Sequence, residues 1–252
     1  LAGKQIKLDG KVLDCPDEYG DWGVHHFEGW WDSPDAKTKQ VERPVGADGD
    51  LDTPVDYAAR YPSLTGIFIA NSEALMFEGM NRFSSLLQQP GVLEVNGYGR
   101  DQWANVRRTS QLIITPQTDR VCLWQAKLKA VDPRKFGRSR TFAVAVGAPV
   151  NAFHRGTYPA SPSFIIRGDM PGGYTITVDG WDYRVTKALQ TGKPHRLDYN
   201  DGDLYVNGTL TQNSLGNTNL RTIPPGPGVG VGLYPVTTGT GSADMTVWDT
   251  YI

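Results

Sequence analysis

Cysteine is scarce in this sequence: Cys15 and Cys122 are the only two. That excludes a disulfide framework and a four-cysteine metal site. Both read as ordinary reduced or buried thiols, and the pattern fits assembly in a reducing cytoplasm. Long hydrophobic runs are also missing. No stretch approaches the roughly 18 apolar residues that a membrane-crossing helix needs, so membrane insertion is not expected. The opening residues Leu1-Ala2-Gly3-Lys4-Gln5-Ile6 show no signal-peptide pattern. Neither sign of charge dominates. A formal net charge of −2 disfavours a strongly basic nucleic-acid binder. There is no fixed-period repeat, which argues against a solenoid or propeller. A Gly-x-Ser-x-Gly elbow and a phosphate-binding Gly-Lys-Thr loop are lacking too.

What is present points to a packed β protein. The 252 residues suffice for one large or two ordinary domains. A hydrophobic fraction of 39% against 21% charged supports a core and argues against disorder. The 29 glycines and 17 prolines favour short strands joined by turns over long helices.

Along the chain, Gln5 to Leu13 reads as a strand pair turning at Asp9-Gly10. Trp22 to Trp31 is an aromatic-rich strand that Ser33-Pro34-Asp35 breaks. Residues 36–56 form a long polar connection, and Arg60 to Ile69 returns to strand character. The clearest local element is a helix from Asn71 to Gln88. Asn71 or Ser72 caps it, and Met76, Met80, Phe83 and Leu87 make its buried stripe, widened by Ala74, Leu75 and Leu86. Pro90-Gly91 ends it. Further strands are expected over Val92 to Val95, Trp103 to Arg107, Leu112 to Ile114, Arg120 to Val131 and Arg140 to Val146. The prolines of Ala148 to Ser163 mark a linker. Beyond it, hairpins turn at Asp179-Gly180, Asn200-Asp201-Gly202 and Asn207-Gly208, with late strands at Val229 to Leu233 and Ala243 to Trp248. The expected fold is mainly β with one α-helix: a domain over 1–150, a linker over 151–162 and a β-sandwich over 163–252.

Catalytic chemistry finds candidates without arrangement. His25-His26 are neighbours on a strand and point to opposite faces, a poor start for binding one metal ion. His154 and His195 stand alone. Asp48-Gly49-Asp50 with Asp52 has the oxygen content of a weak calcium loop, without the closing Glu. Gly97-Tyr98-Gly99 reads as a turn. Asp179, Asp182, Asp198, Asp201 and Asp203 offer carboxylates for sugar hydrolysis, but most fall at turn positions. Trp181, Tyr183, Tyr199 and Tyr205, with Trp248, either stack on a pyranose ring or fill the sandwich core. The basic stretches Arg107-Arg108 and Arg134 to Arg140 read as surface charge or subunit contacts. No cofactor, metal or enzymatic activity is expected.

One run carries no chemistry at all: Trp30-Trp31-Asp32-Ser33-Pro34-Asp35, followed by Arg43-Pro44-Val45-Gly46-Ala47-Asp48-Gly49. It reads as an extended arm between strands. This run, the strand at Arg60, and the helix leading into Pro90-Gly91-Val92-Leu93 resemble, in that order, the N-terminal domain of distal tail proteins, the Dit family of long-tailed bacteriophages. The resemblance is nearest to minor tail proteins of phages infecting actinobacteria. The second portion, around Leu197-Asp198-Tyr199 and Val206-Asn207-Gly208, resembles the galectin-like or carbohydrate-module-like sandwich appended in many of these proteins. The chain departs from the pattern in having Trp30-Trp31 where a smaller residue often precedes the Asp.

The resemblance implies a structural virion protein assembled in the host cytoplasm. Its N-terminal domain would form a hexameric ring between the tail-tube protein and the tail-tip hub, supporting host adsorption, with DNA passing through the lumen without specific binding. Trp30 and Trp31 would then be buried anchors of an assembly arm that also includes Asp32, with Arg43 and Asp48 as subunit contacts. A second possibility is a lectin-like module that binds a host-surface glycan through Trp181, Tyr183, Tyr199 and Tyr205.

Overall fold

The structure is a computed structural model, and it describes residues 5–37, 55–97, 99–212 and 214–252. The chain divides into two compact units between Lys135 and Phe136. The first contains β1 (Gln5–Leu8), β2 (Lys11–Val12), β3 (Gly20–Glu28), β4 (Ala36–Lys37), β5 (Asp56–Tyr57), β6 (Ser63–Ala70), α1 (Glu73–Ser84), β7 (Gly91–Gly97), β8 (Arg100–Arg108), β9 (Ile113–Pro116) and β10 (Val121–Lys129). The division falls at the first residue of β11 (Lys135–Ala145). The second unit continues through β12 (Val150–Ala152), β13 (Ser163–Asp169), β14 (Tyr174–Val178), β15 (Trp181–Val185), β16 (His195–Asp198) and β17 (Leu204–Val206). It ends with β18 (Thr209–Thr211), β19 (Leu215–Thr218), β20 (Val229–Pro235) and β21 (Thr240–Tyr251).

In the first unit the hydrophobic alternation sets the sheet faces. β6 lies between β3 and β10, all antiparallel, with Trp22 opposite Phe68 and Trp124 opposite Gly66. Leu64 and Phe68 of β6, with Cys122, Trp124, Ala126 and Leu128 of β10, turn inward. A Cβ at Gly66 would lie 2.3 Å from the Trp124 ring, so this position has no room for a side chain. α1 covers the inner face. Trp22 stacks on Phe68 at 4.1 Å, and Phe83 of the helix reaches both Trp22 and Trp124 at 5.5 and 5.1 Å. Gly79 brings the helix close: a Cβ there would meet the Phe68 ring at 2.6 Å.

The helix is shorter than the residues 71–88 expected from the sequence. Ser72 caps its start by accepting from the Leu75 N–H. At the other end Ser84 and Ser85 turn their hydroxyls back onto the carbonyls of Asn81 and Arg82. Leu87, at φ +55°, then leaves the helical path while remaining buried. Met76, Phe83 and Leu87 form the buried stripe with Met80 partly covered, whereas Ala74 is exposed.

The second unit is a sandwich. One sheet runs in the order β18-β17-β16-β13-β21-β11 and the other in the order β12-β20-β14-β15-β19. A single core lies between them, drawing Phe164, Ile166, Leu197, Met245 and Val247 from the first and Tyr174, Ile176, Tyr183, Val185 and Leu233 from the second. The hairpins turn where Asp-Gly and Asn-Gly pairs stand. Asp179 and Asn207 adopt φ of +50° and +48°, each followed by a glycine at positive φ, as tight two-residue turns require.

Two expectations need correction here. The first unit ends at Lys135, where the sequence suggested 150. The expected linker 151–162 is also part of the second unit. Val150 pairs with Val231 and Ala160 with Ile223, and Ala152, His154 and Ala160 are buried. Proline breaks up the strand pattern in this stretch without preventing it from packing.

Candidate functional site

The start of the expected arm is built around Trp30. β3 ends at Glu28, and Gly29 turns the chain at φ +69°. A Cβ there would sit 2.3 Å from the Tyr61 carbonyl oxygen, so the turn has no space for a side chain. Trp30 then points inward, fully buried, and stacks on Phe27 at 6.1 Å. Its carbonyl oxygen accepts from two cations, Arg60 Nη1 and Lys135 Nζ, each at 3.0 Å. Arg60 Nη1 also donates to the carbonyls of Gly29 and Asp32, and Arg60 Nε donates to that of Pro133. The Lys135 ammonium lies 5.7 Å over the Trp30 ring.

Arg60 is 2% and Lys135 6% exposed, and among the described residues neither forms an ion pair. Arg60 Nη2 and Trp30 Nε1 are buried without a hydrogen-bond partner among the described residues. Burial, then the nearby Arg60 charge, pushes Lys135 down to about 8, against a smaller opposing pull from Asp32. Burial likewise lowers Arg60. Backbone carbonyls thus hold two buried cations at the point where the arm leaves the sheet. Sequence reading missed both residues, because alternation assigns charged side chains to the solvent.

The expected arm residues divide. Trp30 is buried, but in its own unit's core. Trp31, expected to be a buried anchor as well, is 49% exposed and edges onto Phe27 at 6.2 Å. Asp32 contributes its carbonyl to Arg60 and is exposed. Arg43 and Asp48 lie outside the described residues, as do Asp50 and Asp52 of the calcium-loop candidate.

The four aromatics expected to face a glycan also separate. Tyr183 and Tyr199 are core residues, 0% and 5% exposed, with their rings 5.2 Å apart. Tyr199 also packs on Phe164 at 5.2 Å, and Tyr183 donates its hydroxyl to the Gly202 carbonyl at 2.8 Å. Burial, then the charges of Asp203 and Asp201, pushes Tyr183 up to about 12. These two are corrected to core positions. Tyr205 does not face Tyr199 across the hairpin. It pairs with Arg196, whose guanidinium lies 4.5 Å from its ring. Trp181 is 47% exposed, and the Arg221 guanidinium stacks on it at 4.1 Å.

The remaining candidates fall into local roles. A β-bulge between Val24 and His26 interrupts the strand, and His26 Nε2 pairs with Glu28 Oε1 at 2.6 Å. His154 is buried, bonding the Ile223 carbonyl through Nε2 and accepting from the Gly156 N–H at Nδ1. His195 is buried 3.1 Å from the Tyr174 hydroxyl, and burial takes it down to about 4. Burial raises Cys122 to about 11. Of the basic stretch, Arg134 pairs with Asp132 at 2.6 Å and Arg140 with the buried Asp249 at 3.1 Å. Arg107, Arg108 and Arg138 are exposed. Among the described residues no three His, Cys, Asp or Glu side chains gather as metal ligands, and no helix is long and apolar enough to cross a membrane.

Neither a protein-family model nor a curated protein sequence matches the chain. Solved structures do. The crystal structure of the SPP1 Dit protein (gp 19.1), described as a paradigm of the hub adsorption apparatus in phages infecting Gram-positive bacteria, is similar with a TM-score of 0.72. It is 15% identical, and the likeness covers 99% of both chains. A chain of the phage p2 baseplate in its strontium-activated conformation gives a TM-score of 0.54 at 10% identity, over 96% of this chain and 97% of that one. The calcium-activated baseplate gives 0.51 at 9% identity, over 99% and 98%. At these identities the likeness is one of fold: from end to end, this chain has the β-rich fold of the phage SPP1 Dit protein.

Proposed function

We propose that this chain is a structural protein of a phage tail tip. In this reading it forms a hexameric ring joining the tail-tube protein to the tail-tip hub or baseplate, supports host adsorption, and lets DNA pass without gripping it. The observation that carries the reading is the likeness to SPP1 Dit over 99% of both chains. A shared domain alone would leave part of either chain unmatched.

Two surfaces of the first unit support assembly. Trp31 offers an exposed indole at the root of the arm. Ile69, Leu123 and Ile113 are each more than 40% exposed on the outer face of β6, β10 and β9. Leu123 and Ile113, with His25, Thr65 and Gln125, line a depression of about 350 Å³. An apolar sheet face of this kind suits burial against a neighbouring subunit. Native mass spectrometry with negative-stain imaging tests the proposal: a sixfold ring is expected, and a stable monomer at micromolar concentration that forms no ring would overturn it.

A second, compatible reading is that the sandwich binds a host-surface glycan. It is favoured by an exposed tyrosine lying on the polar outer face of the five-stranded sheet. A glycan array probed with the whole protein tests it, and absence of binding would overturn it.

A further inference from the structure

The outer face of the five-stranded sheet has a specific composition. Along β20 the residues facing away from the core are Gly230, Gly232 and Tyr234, alternating with Val231 and Leu233, which are buried. Tyr234 is 40% exposed. A Cβ at Gly232 would lie 2.5 Å from Tyr234 Cε2 and 2.7 Å from its hydroxyl oxygen. The phenol ring therefore leans back along the strand over Gly232, instead of standing off the sheet. That explains why Gly232 is buried although it faces outward. Two residues further along, Gly230 is exposed, and a Cβ there would meet nothing within 4 Å. The ring thus borders an open patch of bare backbone.

Hydrogen-bonding groups flank this strip on both sides. On β14, Thr177 stands opposite Gly232 and Thr175 opposite Tyr234. On β15, Asp182 stands opposite Thr177 and accepts from its hydroxyl at 2.8 Å, while Arg184 stands opposite Thr175. On β12, Asn151 stands opposite Gly230. Asp182, Arg184 and Asn151 are exposed.

The geometry points to a glycan subsite on this face, with Tyr234 as its stacking floor; the assignment rests on the glycan reading above. A pyranose ring has an apolar C–H face and a rim of hydroxyls. The phenol matches the first, and the Asp182 carboxylate and Thr177 hydroxyl match the second, while Asn151 holds its amide on the Pro227 carbonyl at the edge of the patch. A protein partner fits less well, because one aromatic ring among polar residues and glycines is too little apolar surface for an interface core. The sequence reading had selected other aromatics. Tyr183 and Tyr199 are in the core, and Arg221 already stacks on Trp181.

The experiment uses the whole protein on an array of glucose, galactose, rhamnose and N-acetylhexosamine oligosaccharides, with titration of any binder. Tyr234→Ala is expected to weaken binding tenfold or more, while Trp181→Ala leaves it within twofold. Gly230→Leu removes no contact group. It places a side chain on the open patch and is expected to block binding to a similar degree. Unchanged melting temperatures show that the variants fold. A glycan bound equally well by wild type, Tyr234→Ala and Gly230→Leu would overturn this subsite and leave the glycan reading standing. Binding of nothing by the wild type would overturn both.

Discussion

Two buried polar clusters, one in each unit, are held in opposite ways. The first holds two cations, Arg60 and Lys135, on backbone carbonyls around Trp30, with no ion-pair partner for either among the described residues. In the second, the polar core side chains around Tyr174, Tyr183 and His195 are neutral. Burial keeps Tyr183 protonated up to about 12 and His195 unprotonated down to about 4. The second arrangement is the less costly, since burying a neutral hydroxyl needs one hydrogen bond, whereas a buried charge keeps much of its desolvation cost. The first unit accepts that cost where the arm begins. Carbonyls that converge on a cation fix the backbone of residues 29–32 in a way that apolar packing alone does not.

The largest expected effect separates the two adjacent tryptophans. Trp30→Ala should destabilise the first unit by about 3–5 kcal/mol, whereas exposed Trp31→Ala should stay within about 0.5 kcal/mol of wild type. Denaturant melts check the stability, and native mass spectrometry shows whether Trp31→Ala loosens the proposed ring instead. Equal destabilisation by both would mean that Trp30 is not the core residue.

Next come the two buried bases, each with a folded pKa below its unfolded one. Unfolding takes up a proton between the two values, so stability rises with pH across that window and falls as pH drops through it. For Lys135 the window runs from about 8 to 10.5, and for His195 from about 4 to 6.5. Hydrogen exchange resolved by segment should show protection of the first unit rising across the upper window and that of the second unit falling on acidification through the lower one. Lys135→Met should abolish the first slope and leave stability at pH 7 unchanged or higher, by up to about 4 kcal/mol. His195→Gln should abolish the second slope. A slope that survives its substitution would assign the titration elsewhere.

Smaller effects test the contact between helix and sheet. Gly79→Ala drives a methyl against Phe68 and should cost about 1–3 kcal/mol. Ser72→Ala removes the helix cap and should cost about 1 kcal/mol. Both should act on the first unit alone, as followed by the same exchange measurement.

Much of this architecture was legible before the structure, where local rules decide it. Asp9-Gly10, Asp179-Gly180 and Asn207-Gly208 turn as expected, because positive φ at those positions favours these residue pairs. The faces of β6 and β10 followed from alternation. Long-range effects were not legible. β13 was missed because Phe164, Ile165 and Ile166 are all apolar and follow Pro162, so no alternation shows in the sequence, although Ile165 is 39% exposed between two buried neighbours. Arg60 and Lys135 escaped notice because carbonyls 30 and 105 residues away along the sequence make their burial possible. Trp181 and Tyr183 do share a strand face, yet only the latter reaches the core, because Trp181 opens the strand beside the turn.

The position of β21 sets a schedule for synthesis. This strand, Thr240–Tyr251, pairs through Thr240 to Thr246 with β13, about eighty residues earlier, and sits between β13 and β11 in its sheet. The local hairpins β14–β15 and β16–β17 can close as soon as they emerge from the ribosome, because their partners are sequence neighbours. The sandwich cannot close then: until Val247 has been made, β13 lacks its full partner along one edge, and Phe164 and Ile166 lack the Met245 and Val247 that share their core. Completion of the second unit thus waits for β21, and a nascent chain stalled before residue 240 would present an open sheet edge for pairing with another chain.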